Sequence, residues 1–178
     1  MAIYTKTGDK GETGLFSSDK SKKIRVSKAS LRIDAIGSID EANTFLGLTA
    51  SFVKNGGIKT KIIEIQRHLF EIGAILAGAN MEIKKTLTTE MEKEIDGMDK
   101  ILPKLDHFIL PGGGHGGSLL FMARTFIRRA ERKVVTLSKK EKINSDLLIY
   151  LNRLSDYVYT LARHINFKEG IKEKAWRG

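Results

Sequence analysis

From about Ser38 onward apolar residues recur at intervals of three and four, and this spacing constrains the chain more than any other feature. Each such stretch builds a helix with one apolar stripe, which is stable only when it faces other stripes. The first segment opens with Ser38-Ile-Asp-Glu41, a pattern that predicts a capping box in which the serine hydroxyl and the glutamate carboxylate satisfy free amides of the first turn. It carries Phe45, Leu46, Leu48 and Phe52 and is expected to stop at Asn55-Gly-Gly57. The second, from about Lys59 to Ala79, repeats Ile62, Ile65, Leu69, Ile72 and Leu76. A third is expected to begin at another capping box, Thr89-Glu-Met-Glu92, and to run through Ile95, Met98 and Ile101 to Pro103. After a break, a fourth reaches about Ser138. The last, announced by Asn144-Ser-Asp146, carries Leu147, Leu151, Leu154, Val158, Leu161 and Ile165 on one face and Asn152, Asp156, Tyr159 and Arg163 on the other. The expected fold is all-α, a five-helix bundle with an irregular N-terminal arm, and short loops make sequential helices antiparallel neighbours. No repeat or linker divides the 178 residues, which read as one domain with an arm over 1–35, a bundle over 36–168 and a tail over 169–178.

The fourth segment contains the run Ala123-Arg-Thr-Phe-Ile-Arg-Arg-Ala-Glu-Arg132. At about 100° per residue, Arg124, Arg128, Glu131 and Arg132 fall within about a quarter of the helix circumference. Leu119, Ala123, Phe126, Ala130, Val134 and Leu137 are expected on a separate apolar stripe. Three guanidiniums on one face suit a polyanion, because the guanidinium fork matches phosphate oxygens bidentately. Charged stripes are also common on surface helices, so this feature alone leaves a solvated basic face equally open.

The formal net charge of +10 points to an anionic partner. Much of the excess is diffuse, in Lys20, Lys22, Lys23, Lys139, Lys140 and Lys142, and says little about a site. The chain has no cysteine, which excludes disulfides, thiolate nucleophiles and cysteine-ligated zinc. His68, His107 and His164 lack metal-ligand spacing, and no Ser-His-Asp arrangement is visible. An enzyme built this way would take its nucleophile from a substrate or cofactor and contribute position and charge. No apolar run approaches the roughly 20 residues that span a bilayer, and the first residues lack the apolar core of a signal peptide, so a cytoplasmic protein is expected.

Two glycine-rich stretches flank the helical pattern. Tyr4-Thr-Lys-Thr-Gly-Asp-Lys-Gly-Glu-Thr-Gly14 packs three glycines, three threonines and two lysines into eleven residues. Such a loop can wrap phosphates with amides, hydroxyls and ammonium groups, though it is not a Walker A loop and a flexible terminal tail is the competing reading. Gly112-Gly-Gly-His-Gly-Gly117, directly after Pro111, reads as a mobile connector or a tight inter-helix turn.

Taken together and in order, Tyr4-Thr-Lys-Thr-Gly-Asp-Lys-Gly11, Ile36-Gly-Ser-Ile-Asp-Glu-Ala-Asn43, Phe108-Ile-Leu-Pro-Gly-Gly113, the run from Ala123 to Arg132 and Leu151-Asn-Arg-Leu-Ser-Asp156 resemble the PduO-type ATP:cob(I)alamin adenosyltransferases. The resemblance implies a five-helix bundle assembled as a homotrimer, with sites shared between subunits. It implies transfer of the 5′-deoxyadenosyl group of ATP to the cobalt of cob(I)alamin, with release of inorganic triphosphate and with Mg2+ carried by the ATP phosphates. In that reading Thr5, Lys6, Thr7, Gly8, Thr13 and Gly14 wrap the triphosphate, and Lys28 is a further nucleotide contact. Arg128, Arg129, Glu131, Arg132 and Asn152 complete the nucleotide site. Arg124 pairs with Asp40 across the subunit boundary, and Phe108 displaces the lower axial ligand of the corrinoid. Ala42 and the glycine-rich turn depart from the family pattern. The implied partners are ATP and a reduced corrinoid, with a reductase and a cobalamin-dependent mutase as candidate protein partners. The competing readings are a basic helical binder of nucleic acid or polyphosphate, and a non-catalytic corrinoid carrier. Aromatic residues on the basic helix are limited to Phe121 and Phe126, which disfavours nucleic acid.

Overall fold

The computed structural model describes residues 3–17 and 23–177, so Lys20 and Lys22 lie outside the described residues. Five helices follow a short hairpin: β1 (Glu12–Leu15), β2 (Ile24–Ser27), α1 (Leu31–Phe52), α2 (Gly56–Leu76), α3 (Lys85–Asp99), α4 (His115–Ser138) and α5 (Ser145–Lys168). Helix α1 lies against α2 and α4, and α5 lies against α4 and α3.

Asn144 caps α5 as its position predicts, its side chain accepting from the Asp146 amide at 2.8 Å. Neither expected capping box forms. α1 starts eight residues before the Ser38 box, at a cap where the Ser30 hydroxyl accepts from Ile33 N. Ser38 lies inside the helix and donates to the Asp34 carbonyl at 2.9 Å. The reason is packing: Ala35 is fully buried, so the residues before Ser38 already belong to the core-facing stripe. Likewise α3 begins at Lys85, with Thr88 buried a turn in, and no side chain caps it. Asn55 does not merely end α1, because its side chain caps α2 by accepting from Ile58 N at 3.1 Å.

Ala35 and Ala42 of α1 and Ala123 and Ala130 of α4 are all fully buried, and the two helices pack against each other. Small side chains let the two helices approach closely. Around them Ile39, Leu46, Ile62, Leu69, Ile72, Ile127, Leu151 and Leu154 are withdrawn from water, each contributing about 1.5–3 kcal/mol. The buried stripe of α4 is Leu120, Ala123, Ile127, Ala130, Val134 and Leu137. Leu119 and Phe126, assigned to that stripe from spacing, sit at its border, where Phe126 stacks on Phe45 with ring centroids 4.9 Å apart.

Pairing extends into both segments that flank the bundle. The arm is not irregular throughout, since β1 and β2 pair antiparallel with Thr13 opposite Val26. It docks on the bundle where Phe16 N donates to the Ala77 carbonyl at 2.8 Å. Gly78, with φ +99°, leaves room for that contact, for a Cβ there would lie 2.7 Å from the Phe16 carbonyl oxygen. In the segment after α5, Ala175 forms an antiparallel bridge with Ile109. No helix among the described residues is long and apolar enough to cross a membrane.

Candidate active site

The expected site residues fall into three places. The first is a cleft of about 570 Å³ between the arm and helices α1 and α2. Thr13, Gly14 and Lys28 enter it from the hairpin, and Asp40 and Asn43 enter it from α1, over a floor that includes Ile36, Leu69 and Phe70. Above it, the loop carrying Thr5, Lys6, Thr7 and Gly8 is folded back by two cations. Arg25 donates to the Thr7 carbonyl at 2.7 Å and to Glu12 at 3.1 Å, and Lys28 Nζ donates to the Gly8 carbonyl at 2.9 Å. Lys6 takes a left-handed backbone with φ +58°, and the Thr5 and Thr7 hydroxyls lie 2.8 Å apart. The arm is therefore a shaped loop braced by its own hairpin.

The second place is the outer face of α4. Arg128 and Arg132 are exposed, and among the described residues neither forms an ion pair. Arg129 is engaged differently: it pairs with Glu41 of α1 and lies over the Phe126 ring at 4.9 Å. Glu131 accepts from the Asn152 side-chain amide at 3.0 Å, joining α4 to α5. Arg124 is half-buried with its guanidinium 5.2 Å above the Tyr159 ring, and its Nε is buried without a hydrogen-bond partner. Burial raises the Tyr159 phenol above its ordinary pKa, which keeps it a neutral platform for that cation. Arg124 and Asp40 form no ion pair within this chain.

The third place is the end of the bundle where α5 finishes. Phe108 is 82% exposed and lines a cleft with Asp106, His107, Trp176 and Arg177. The glycine-rich stretch next to it is a close-packed turn. Asn166 of α5, 3% exposed, donates to the Gly112 carbonyl at 2.8 Å and accepts from Gly114 N at 3.1 Å. A Cβ at Gly113 or Gly117 would overlap the Asn166 amide, and one at Gly116 would lie 2.7 Å from Ile165 Cδ1. Gly113 also has φ +117°, a conformation that only glycine takes without strain.

The sequence profile of the cobalamin adenosyltransferase family matches residues 3–165. The chain belongs to that family. It is 43% identical over 179 residues to a corrinoid adenosyltransferase of Bacillus subtilis, an alignment covering 96% of this chain and 90% of that protein. It is 37% identical over 186 residues to the human corrinoid adenosyltransferase MMAB, covering 98% of this chain and 72% of the relative. Among solved structures it is similar to a phenylalanine-to-alanine variant of the PduO-type ATP:corrinoid adenosyltransferase of Lactobacillus reuteri, complexed with cobalamin and ATP. That match has a TM-score of 0.93 and 36% identity, over 99% of this chain and 100% of the other. An arginine-to-lysine variant of the Lactobacillus reuteri enzyme, complexed with ATP, matches with a TM-score of 0.91 and 37% identity over 98% and 100% of the two chains.

Four features of this family member escape a reading by local spacing. Arg25 braces the arm from a strand whose periodicity is too short to signal it. Asn43 presents a buried side-chain oxygen without a partner at the cleft. Arg163, placed by spacing on the face of α5 opposite its apolar stripe, is buried at 3% exposure, with Glu173 supplying a counter-charge from beyond the helix. Asn166 is the group around which the glycines close. Of these, the Asn43 position inside the Asp40-Glu-Ala-Asn43 motif is the one with a visible sequence signal.

Proposed function

We propose that this protein is an ATP:corrinoid adenosyltransferase that transfers the 5′-deoxyadenosyl group of ATP to the cobalt of cob(I)alamin and releases inorganic triphosphate. The observation that carries the reading is the division of polar groups between two surfaces of one chain. The braced loop and cleft present amides, hydroxyls and Lys28, whereas Arg128 and Arg132 stand on α4 with no partner among the described residues. No hydrogen bond or ion pair among the described residues joins the two sets. Guanidiniums left unpaired beside two engaged neighbours suit a ligand that arrives with its own negative charge. The family's implied homotrimer would bring the loop of one subunit to the arginines of the next. It would also give Asp40 and Arg124 their missing counter-charges.

In this reading the reduced corrinoid is itself the nucleophile, which fits a chain with no activated side-chain nucleophile. Its cobalt attacks C5′ and the triphosphate departs with its charge. Thr5, Lys6, Thr7, Gly8, Thr13, Gly14 and Lys28 would hold the triphosphate from the arm, with Arg128, Arg129 and Arg132 opposite, and Glu131 and Asn152 would complete the nucleotide site. Cationic and amide donors fixed before the reaction lower the barrier because they need no reorganisation as charge grows on the leaving group. Arg129 and Glu131 would act from fixed positions set by Glu41 and Asn152. Phe108, with its ring in solvent, is free to cover the lower face of a corrinoid and exclude its axial ligand and water. Among the described residues no three carboxylate or imidazole groups converge as a metal cage. Mg2+ would arrive on the phosphate oxygens of ATP.

The protein is proposed to act in the cytoplasm, where a reductase would supply cob(I)alamin and a cobalamin-dependent mutase would take the product. The test mixes protein, ATP, Mg2+ and chemically reduced cobalamin, then follows adenosylcobalamin absorbance and inorganic triphosphate together. Both should appear in equal amounts. Binding of either substrate without product would leave a carrier, and salt-sensitive DNA binding without product would leave a nucleic-acid binder. A measured solution mass of three chains is expected, and a monomeric active species would overturn the shared site.

A further inference from the structure

One buried cation ties the end of the chain to the bundle. Arg163 Nε and Nη2 donate to the two carboxylate oxygens of Glu173 at 2.6 and 3.1 Å, and Nη2 donates also to the Pro103 carbonyl at 2.7 Å. A single guanidinium thus joins α5, the start of the segment that leads to Phe108, and the residues that follow α5. The fork fixes the geometry of the pair, and Arg163, at 3% exposure, is costly to leave without its counter-charge. The clip is therefore closed, or the residues around Glu173 must move into water.

Directly beyond Glu173 the chain becomes a strand beside Phe108. Leu110 N donates to the Lys174 carbonyl at 2.8 Å and Trp176 N donates to the Phe108 carbonyl at 2.7 Å, on either side of the Ile109–Ala175 bridge. Phe108 exposes 82% of its surface, so packing of its own ring does not fix it. Its position follows from backbone pairing with a strand, and that strand is anchored by Glu173. Trp176 and Phe108 line the same cleft of about 410 Å³.

We propose that Arg163 and Glu173 are positioning residues, which set Phe108 for the corrinoid by clamping the strand that pairs with it. The inference rests on the adenosyltransferase reading given above. It adds that the clip governs the corrinoid half of the reaction and leaves the ATP half alone, since neither residue contacts the arm or the exposed arginines of α4.

The test uses Glu173→Gln, which keeps size and removes charge, and Arg163→Lys, which keeps charge and removes the fork. Trp176 is the chain's one tryptophan, so its quenching by acrylamide reports release of the strand. Both variants are expected to increase quenching and to lower turnover from cob(II)alamin plus reductant by about tenfold, as small misplacements of reacting groups do. The KM for ATP is expected to stay within about twofold. Once Phe108→Ala is present, adding Glu173→Gln should cost nothing more, because groups acting through one another are not additive.

A covalent replacement gives the rescue. Ile109 and Ala175 face each other as the pair flanked by the two strand hydrogen bonds, where Cα atoms lie about 4.5 Å apart and a disulfide can form. In the cysteine-free chain, Ile109→Cys with Ala175→Cys in the Glu173→Gln background should recover the rate when oxidised and lose it when reduced. An unchanged rate in variants whose Trp176 is released overturns the inference, as does an equal loss in the Phe108→Ala background. A wild-type protein that makes no adenosylcobalamin overturns the activity itself, which separates the two failures.

Discussion

The same substitution, glycine to alanine, is expected to have opposite effects at two helical positions of this fold. Gly97 in α3 is exposed and a Cβ there meets nothing within 4 Å, so Gly97→Ala gains helix propensity of about 1 kcal/mol. Gly117 in α4 is buried, and a Cβ there overlaps the side-chain amide of Asn166. Overpacking a filled site costs about 1–3 kcal/mol. Moving Asn166 also breaks its bonds to the Gly112 carbonyl and the Gly114 amide, worth about 1 kcal/mol each. Less the gain of about 1 kcal/mol in helix propensity, the net loss is about 2–4 kcal/mol. For a chain of this size each kcal/mol moves the melting temperature by about 2–4 °C. Gly117→Ala should thus melt roughly 4–16 °C below wild type, and Gly97→Ala roughly 2–4 °C above it. Circular dichroism melts and urea titrations would be run at one fixed protein concentration, because association of folded copies raises apparent stability. Gly117→Ala melting at or above the wild-type temperature would refute the close packing of the turn on Asn166.

Other consequences are equally direct. Arg128→Ala removes an exposed side chain without an ion pair, so stability should change by less than about 0.5 kcal/mol while turnover is abolished, and retained turnover would remove its phosphate role. Phe108→Ala should slow the reaction started from cob(II)alamin far more than the reaction started from cob(I)alamin, and equal losses would contradict ligand displacement. Burial lowers the pKa of His68 below its ordinary 6.5, against the opposing pull of Glu71, Glu64 and Glu90. The unfolded chain then takes up the proton first as pH falls, so this histidine's contribution is complete above pH 6.5 and is lost as pH drops through its lower folded value. Urea titrations between neutral and mildly acid pH should show a shallower decline in His68→Gln than in wild type, and parallel declines would count against it.

What the sequence by itself determined is what repeats along one helix. Apolar spacing of three and four is a local property, and it placed five helices and the buried faces of α2 and α5, including Leu147, Leu151, Leu154 and Val158. The short motifs also contain Thr13, Gly14 and Asp40, which line the cleft, whereas Lys28, which joins them there, stands in no distinctive run and comes only from the family resemblance. Only the tertiary structure decided that α1 starts at Leu31 behind a Ser30 cap, because the burial of Ala35 against neighbouring helices outweighs a local capping pattern at Ser38. It also buried Arg163, which spacing sets opposite the apolar stripe of α5. Its partners are Pro103, sixty residues earlier, and Glu173, beyond the end of the helix. Periodicity reaches one helical turn in either direction, whereas the partner that makes a buried charge tolerable, or the amide that makes a glycine obligatory, comes from elsewhere in the chain. That distance is why the spacing of α5 showed a polar face and the fold made part of it a clamp.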